Sequence, residues 1–230
     1  MVTGGVLFDL DGTLFDHRSA AERGVRAWLA SLGLDGEIEE QVDRWFALET
    51  LHHERFQRGE ISHVEHRRAR IRAFFPQQDL ARDAVADDTF AGYLGFYRAA
   101  WSAFADAAAA LESALAAGLP VGILTNGEQS VQETKVRRTG LGSYGVPVVA
   151  SSSLAAAKPD ARAFHAACEA IGVAPERCVM VGDSLRHDVR GATDAGLAGV
   201  LVDRYGRYDR RPADVAGVRR IRSLAELAWT

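Results

Sequence analysis

Four short stretches of this sequence carry side chains suited to phosphate and metal-ion chemistry. Asp9 and Asp11 stand two apart in Phe8-Asp9-Leu10-Asp11-Gly12-Thr13-Leu14. Thr125-Asn126-Gly127 comes much later, then Lys158-Pro159-Asp160, then Gly182-Asp183-Ser184 with Asp188 five residues beyond Asp183. In an extended segment Asp9 and Asp11 point to one side. Four carboxylates brought together repel one another unless a cation joins them. A hard divalent ion with oxygen ligands, Mg²⁺, is the natural partner. Lys158 adds a fixed positive charge, and Thr125, Asn126 and backbone N–H groups at a helix start suit phosphate oxygens. Each fragment alone has a plain reading, as an aspartate-rich loop, a turn with a cap, or a helix start. Their weight comes from occurring together, each at the end of a predicted strand.

The elements that must bring them together follow from hydrophobic patterning. Residues 3–8 read as a buried strand. From about residue 16 to 101 the pattern is helical, with apolar residues at helical spacing over 20–32, 37–56, 61–75 and 89–101. From residue 107 strands and helices alternate: helices over 107–117, 128–139, 160–171, 185–195 and 223–229, and strands over 121–124, 146–150, 178–181 and 199–202. Residues 204–212 read as an arginine-rich loop. Such alternation predicts βαβ units and a parallel sheet. The expected fold is therefore α/β: a Rossmann-like parallel core with helices on both faces (residues 1–15 and 102–230), carrying an inserted all-helical cap (residues 16–101). Ligands of an open parallel sheet bind at the carboxyl ends of its strands, where all four stretches fall.

These motifs resemble the haloacid dehalogenase superfamily: Phe8–Leu14 its first motif, Leu124–Gly127 its second, Lys158–Asp160 its third, and Val181–Ser184 with Asp188 its fourth. The inserted helices resemble a C1-type cap. The resemblance implies Asp9 as a nucleophile that forms an aspartyl-phosphate. Asp11 would protonate the leaving oxygen and then deprotonate water, a role that needs a raised pKa, gained by shielding when the cap closes. Mg²⁺ would be held by Asp9, the Asp11 backbone carbonyl and Asp183, with Asp188 behind them orienting water or Lys158. Thr125, Asn126 and Lys158 would hold the transferring phosphoryl group. His17, next to the nucleophile loop, is a candidate substrate contact.

Within the family, true dehalogenases lack an acid at the Asp11 position, so phosphoryl transfer is favoured. Phosphonate hydrolases need a cap lysine, and the only lysines are Lys135 and Lys158, both outside the cap. A phosphatase acting on a small phosphorylated metabolite remains, with nucleoside monophosphates as candidates. A phosphomutase of the β-phosphoglucomutase type and a non-catalytic binding or regulatory module are the alternatives. The cap histidines His52, His53, His63 and His66 read as exposed or cap-packed, Phe15 and Trp45 as core, and the C-terminal arginines as a solvated surface.

Composition sets outer bounds. The chain has 230 residues, 47% hydrophobic and 25% charged, with net charge -4. Nothing in that balance suggests nucleic-acid or anionic-membrane partners. Cys168 and Cys178 are expected to be reduced and buried. No leader pattern or apolar run of membrane-spanning length appears, so a cytoplasmic monomer or weak dimer is expected.

Overall fold

The computed structural model describes residues 4–34 and 36–229. The expected first residue of the opening strand, Thr3, lies outside them. The chain divides into two compact units, one running to His17 and resuming at Trp101, the other Arg18–Ala100.

The first unit is a six-stranded sheet in the order β3-β2-β1-β4-β5-β6, with every neighbouring pair parallel. Its strands are β1 (Gly5–Phe8), β2 (Val121–Thr125), β3 (Val148–Ala150), β4 (Cys178–Gly182), β5 (Ala198–Val202) and β6 (Arg219–Ile221). Successive strands move outward from β1 in one direction and from β4 in the other. The switch point, where such sheets open a crevice, falls between β1 and β4. Both are buried along their whole length, which is why they read as unbroken apolar runs.

Helices α5 (Ala107–Ala116), α6 (Gln129–Arg138), α7 (Ala161–Ala170) and α8 (Gly191–Asp194) connect the strands. In α7 the buried residues Ala163, Phe164, Ala167 and Cys168 recur with helical period and pack on Leu7, Leu124 and Met180. Phe8, on the opposite side of β1 from Leu7, meets the Trp229 ring edge-on at 6.4 Å. Trp229 in turn donates to Ser113 of α5 (3.0 Å). Cys168 and Cys178 are free and buried.

Three parts of this unit differ from the sequence expectation. The stretch after β4 forms a π-helix (Leu185–Arg190) before the short α8, not one continuous α-helix. Strand β6 was not anticipated: only Ile221 of its three residues is buried, and an edge strand paired on one side needs little apolar sequence. The expected closing helix reduces to a 3₁₀ turn (Leu224–Glu226) with a Ser223/Glu226 capping box.

The second unit contains α1 (His17–Ser31, from its second residue), α2 (Ile38–Gln57), α3 (His63–Phe74) and α4 (Asp83–Ala99). Ser62 and Glu65 form a capping box at the start of α3. Helix α4 begins earlier than its apolar pattern because Asp83 and Asp87 in its first turns pair with Arg68 and Arg72 of α3. Trp28, Trp45, Phe74, Phe75, Phe90 and Tyr93 form its aromatic core. Arg70 is buried there, stacked 3.9 Å from the Trp45 ring centroid and paired with Glu49 at 2.9 Å. His52 and His66 are also buried. The His53, His63 and His66 rings gather around Phe56. Among the described residues, no helix of either unit is long and apolar enough to cross a membrane.

Gly24 lets α1 approach α4: a Cβ there would lie 2.7 Å from the Tyr97 Cα. Gly24→Val should therefore destabilise the helical unit by about 1–3 kcal/mol. Chemical denaturation followed through the fluorescence of Trp28 and Trp45 would show the midpoint fall.

Candidate active site

The register of β1 brings the acids to one level. Phe8 lies opposite Ile123 of β2 and Val181 of β4, and the Asp9 amide donates to the Val181 carbonyl (2.9 Å). Asp9 and Asp183 thus leave adjacent strands side by side. One carboxylate oxygen from each of Asp9, Asp183 and Asp188 lies within 4.8 Å of the others. Asp188, expected behind the ion site to orient water or Lys158, does meet Lys158, and one of its oxygens also lies within this cluster. Its other contacts explain its position: Lys158 Nζ donates to Asp188 Oδ1 at 2.6 Å and the Ser184 amide to Oδ2 at 2.9 Å.

Lys158 is the positive centre. Its side chain is 2% exposed, and Nζ donates to Asp9 Oδ1 (2.7 Å), Asp188 Oδ1 (2.6 Å) and the Leu124 carbonyl (2.9 Å). Burial works against its charge, but the Asp188 and Asp9 carboxylates win and raise its pKa. Asp9 is raised well above the usual carboxylate range, by burial first and by Asp188 and Asp183, despite Lys158. Burial and Asp188 push Asp183 up to about 7, against Arg207 and Lys158. Asp9 Oδ2 is buried with no hydrogen-bond partner among the described residues.

An orphaned carboxylate oxygen beside two further carboxylates is an electrostatic deficit that a hard cation would correct. The donors are all oxygen, which fits an ion of the Mg²⁺ type and not a soft metal. Two glycines leave room for the cluster. A Cβ at Gly12, whose φ is +93°, would lie 2.6 Å from Asp183 Oδ2, and one at Gly182 would collide with Asp188.

Asp11 departs from expectation in two ways. Its carboxylate stands outside the acid cluster, because the chain does not run on extended past Asp9. The Leu10 carbonyl accepts from the amides of Thr13, Leu14 and Phe15 in a tight turn, which voids the same-side argument. Lys135 Nζ meets both Asp11 oxygens, at 2.6 and 2.8 Å, and Gln132 Nε2 donates to Oδ2 at 2.9 Å. Its pKa is lowered, not raised: burial pushes it up, but Lys135, His17 and the Lys135 and Gln132 hydrogen bonds outweigh burial. His17, singled out in the sequence, thus lies close enough to act electrostatically on Asp11.

Thr125 is buried and its Oγ1 accepts from Gln132 Nε2 at 2.7 Å. Asn126, expected to hold phosphate, has its side-chain amide committed elsewhere. Its Nδ2 donates to the Lys158 carbonyl and its Oδ1 accepts from the Lys158 amide, both at 2.9 Å. Asn126 thereby clamps the segment that delivers the Lys158 ammonium.

Lys135, Gln132 and Arg204 went unassigned in the sequence. The first two lie on one face of α6, three residues apart, and that spacing was the available signal. Arg204, expected on a solvated surface, donates to both Asp106 oxygens (2.9 and 2.8 Å) and to the Thr13 carbonyl (2.8 Å). It also lies 3.8 Å from the Phe104 ring centroid. Together with Gly12, Asp183, Asp203, Tyr205 and Arg207 it lines a small cleft beside the acids.

Comparison with known proteins places this geometry. The model of the haloacid dehalogenase-like hydrolases matches residues 3–196. A phosphoserine phosphatase of Thermus thermophilus is 43% identical over 101 residues, 44% of this chain and 41% of that protein. Phosphatase MT3486 of Mycobacterium tuberculosis is 34% identical over 210 residues, 90% of each chain. Among solved structures, the magnesium-bound hydrolase YfnB of Bacillus subtilis superposes with a TM-score of 0.79 at 20% identity, covering 98% of this chain and 97% of that one, a likeness of fold.

Asp106 supplies a pH test of the scaffold. Burial raises its pKa, but Arg204, Ser223 and the Leu224 amide prevail and lower it. A lowered carboxylate contributes stability above its unfolded pKa, about 4, and loses it as pH falls through the folded value. Asp106→Asn should cost about 2 kcal/mol at pH 7 and flatten the acid limb of the stability curve, measured by thermal melts from pH 7 downward.

Proposed function

The chain belongs to the haloacid dehalogenase-like hydrolase family, and on that premise we propose that it is a Mg²⁺-dependent phosphatase acting on a small phosphorylated metabolite through an aspartyl-phosphate on Asp9. The observation that carries this reading is the state of the Asp9 carboxylate: Lys158 holds Oδ1 at 2.7 Å, while Oδ2 is buried without a partner among the described residues. That is a nucleophile fixed at one oxygen and desolvated at the other.

Asp9, Asp183 and the Asp11 backbone carbonyl would hold Mg²⁺, with Asp188 now joining the carboxylate set. When bound, the ion supplies positive charge against the phosphate oxygens. An Asp9 oxygen attacks phosphorus, and the bond from phosphorus to the substrate oxygen breaks. The negative charge of the bound phosphate raises the Asp11 pKa from the lowered value that Lys135 sets, and Asp11, once protonated, gives that departing oxygen its proton. Asp11 then takes a proton from the attacking water, whose oxygen displaces phosphorus from Asp9 and releases inorganic phosphate. The Lys158 ammonium and Thr125 hydroxyl stabilise the charge on the transferring group. His17, which acts electrostatically on Asp11, is the candidate substrate contact beside it.

The relatives' names support the phosphatase reading, and the first motif, with both aspartates present, supports it against dehalogenation. For the substrate, nucleoside monophosphates head a panel of phosphate monoesters. An isomerised sugar phosphate without released phosphate would mark a mutase. No turnover of any panel member would leave the binding-module alternative.

With p-nitrophenyl phosphate and Mg²⁺ the protein should release p-nitrophenol, and EDTA should abolish turnover. Asp9→Asn should lower kcat by at least ~10³-fold with the far-UV circular dichroism unchanged. Activity that survives this substitution removes Asp9 as the nucleophile.

A further inference from the structure

Lys135 and Gln132 are the unexpected residues of the site. Helix α6 is mostly polar, yet three of its residues, Gln132, Lys135 and Val136, are buried. A lysine 7% exposed is costly unless its charge is met. Here it is met only on one side of the site: both Asp11 oxygens at 2.6 and 2.8 Å, with the Phe15 ring centroid 4.9 Å away. Gln132 Nε2 is shared between Asp11 Oδ2 (2.9 Å) and Thr125 Oγ1 (2.7 Å). Asp11 is thus held on the Thr125 side of the site, apart from Asp9, Asp183 and Asp188.

Stability alone does not account for this arrangement. A buried ion pair contributes no more than apolar side chains of similar volume would, and often less. Its effect is on where a carboxylate points. Asp11 lies close enough to Asp183 to bear on its charge. A divalent ion bound by the acid cluster would attract any further carboxylate within reach, and an Asp11 drawn in as a ligand could no longer face a leaving group.

We propose that Lys135, assisted by Gln132, is a positioning residue that keeps the Asp11 carboxylate out of the metal-binding cluster and aimed at the leaving-group oxygen. This rests on the reading of Asp11 as the acid and base of a phosphatase. It assigns a role to a helix face outside the four motifs, and it links Asp11 to Thr125 through a single amide group.

The test exploits leaving-group chemistry. p-Nitrophenolate departs without a proton, whereas an alkoxide requires one. Lys135→Met should lower kcat/KM, which reports phosphoryl transfer to Asp9, about tenfold or more further for an alkyl phosphate than for p-nitrophenyl phosphate. Lys135→Arg should restore most of the loss, and Gln132→Leu should show the same selectivity more weakly. Asp11→Asn and Asp9→Asn, assayed in parallel, test the underlying reading. If Asp11→Asn shows no leaving-group selectivity in kcat/KM, which excludes the later hydrolysis of the aspartyl-phosphate, the reading fails. If it does while the Lys135 variant loses both substrates equally or neither, the positioning role fails.

A second readout is independent of turnover. Lys135 and Lys158 are the only lysines, so metal-free protein labelled with ¹⁵N at lysine Nζ gives two ammonium signals. Asp11→Asn should shift the signal that Lys135→Arg removes and leave the other nearly in place. An unshifted signal would overturn the ion pair, even if Lys135→Met failed to fold.

Discussion

A single buried ammonium sets the terms for the catalytic unit. Asp9, at the end of β1, and Asp188, in the π-helix that follows β4, are 6% and 1% exposed. Two ionised carboxylates in such a place repel each other and lose their hydration. The Lys158 Nζ between them, at 2.7 and 2.6 Å, compensates both at once. It does not compensate fully, because Asp183 adds a third carboxylate. The raised pKa values of Asp9 and Asp183 come from burial first and from the neighbouring carboxylates second. A dication bound there would offset both the burial and the repulsion. Removing Lys158 would leave buried charges unpaired, which costs far more than the intact pair contributes.

The backbone is organised to deliver that ammonium. Lys158 lies far along the chain from Asp9 and Asp188, and its segment is tied to the end of β2 by two Asn126 hydrogen bonds. Its third contact, the Leu124 carbonyl, is also on β2. The parallel register places β2, β1 and β4 so that Leu124, Asp9 and Gly182-Asp183 emerge together. Gly12 and Gly182 then leave the volume that the carboxylates occupy. Arg204 ties down the loop after β1 through the Thr13 carbonyl.

The parts legible in the sequence were those with local causes. Strands β1 and β4 are buried on both faces and read as apolar runs, and each ends in the acid it presents. The helices of the second unit carry their own periodicity. What could not be read depends on contacts made at a distance. The direction of the Asp11 side chain is set by three amides converging on the Leu10 carbonyl and by a lysine 124 residues away. Asn126 looked like a phosphate ligand because nothing local shows its amide spent on Lys158. Strand β6 lacks an apolar run, since Arg219 is exposed and Arg220 is half-buried against Asp203 and Asp209. Arg204 looked like one surface charge among many until the fold set it against Asp106 and Phe104.

The composition acquires meaning once both lysines are located. All but two of the 27 basic side chains are arginine, and the two exceptions, Lys135 and Lys158, are both buried at this site. A guanidinium spreads its charge over a planar fork that needs a matching arc of acceptors. An ammonium is compact and can point three donors in different directions. Lys158 uses that freedom to reach two carboxylates and a carbonyl on separate segments. Lys135 instead spends its charge on both oxygens of one carboxylate, with the Phe15 ring beside it, a task an arginine could share. The two lysines also divide the acids: Asp9 belongs with Lys158 and the cluster, Asp11 with Lys135 and Thr125. Two carboxylates separated by one residue thereby acquire pKa values displaced in opposite directions. The Asp9 rise comes from burial and neighbouring carboxylates, and the Asp11 fall from Lys135, His17 and Gln132, so the charge state of each acid is set by its own surroundings and not by the motif they share.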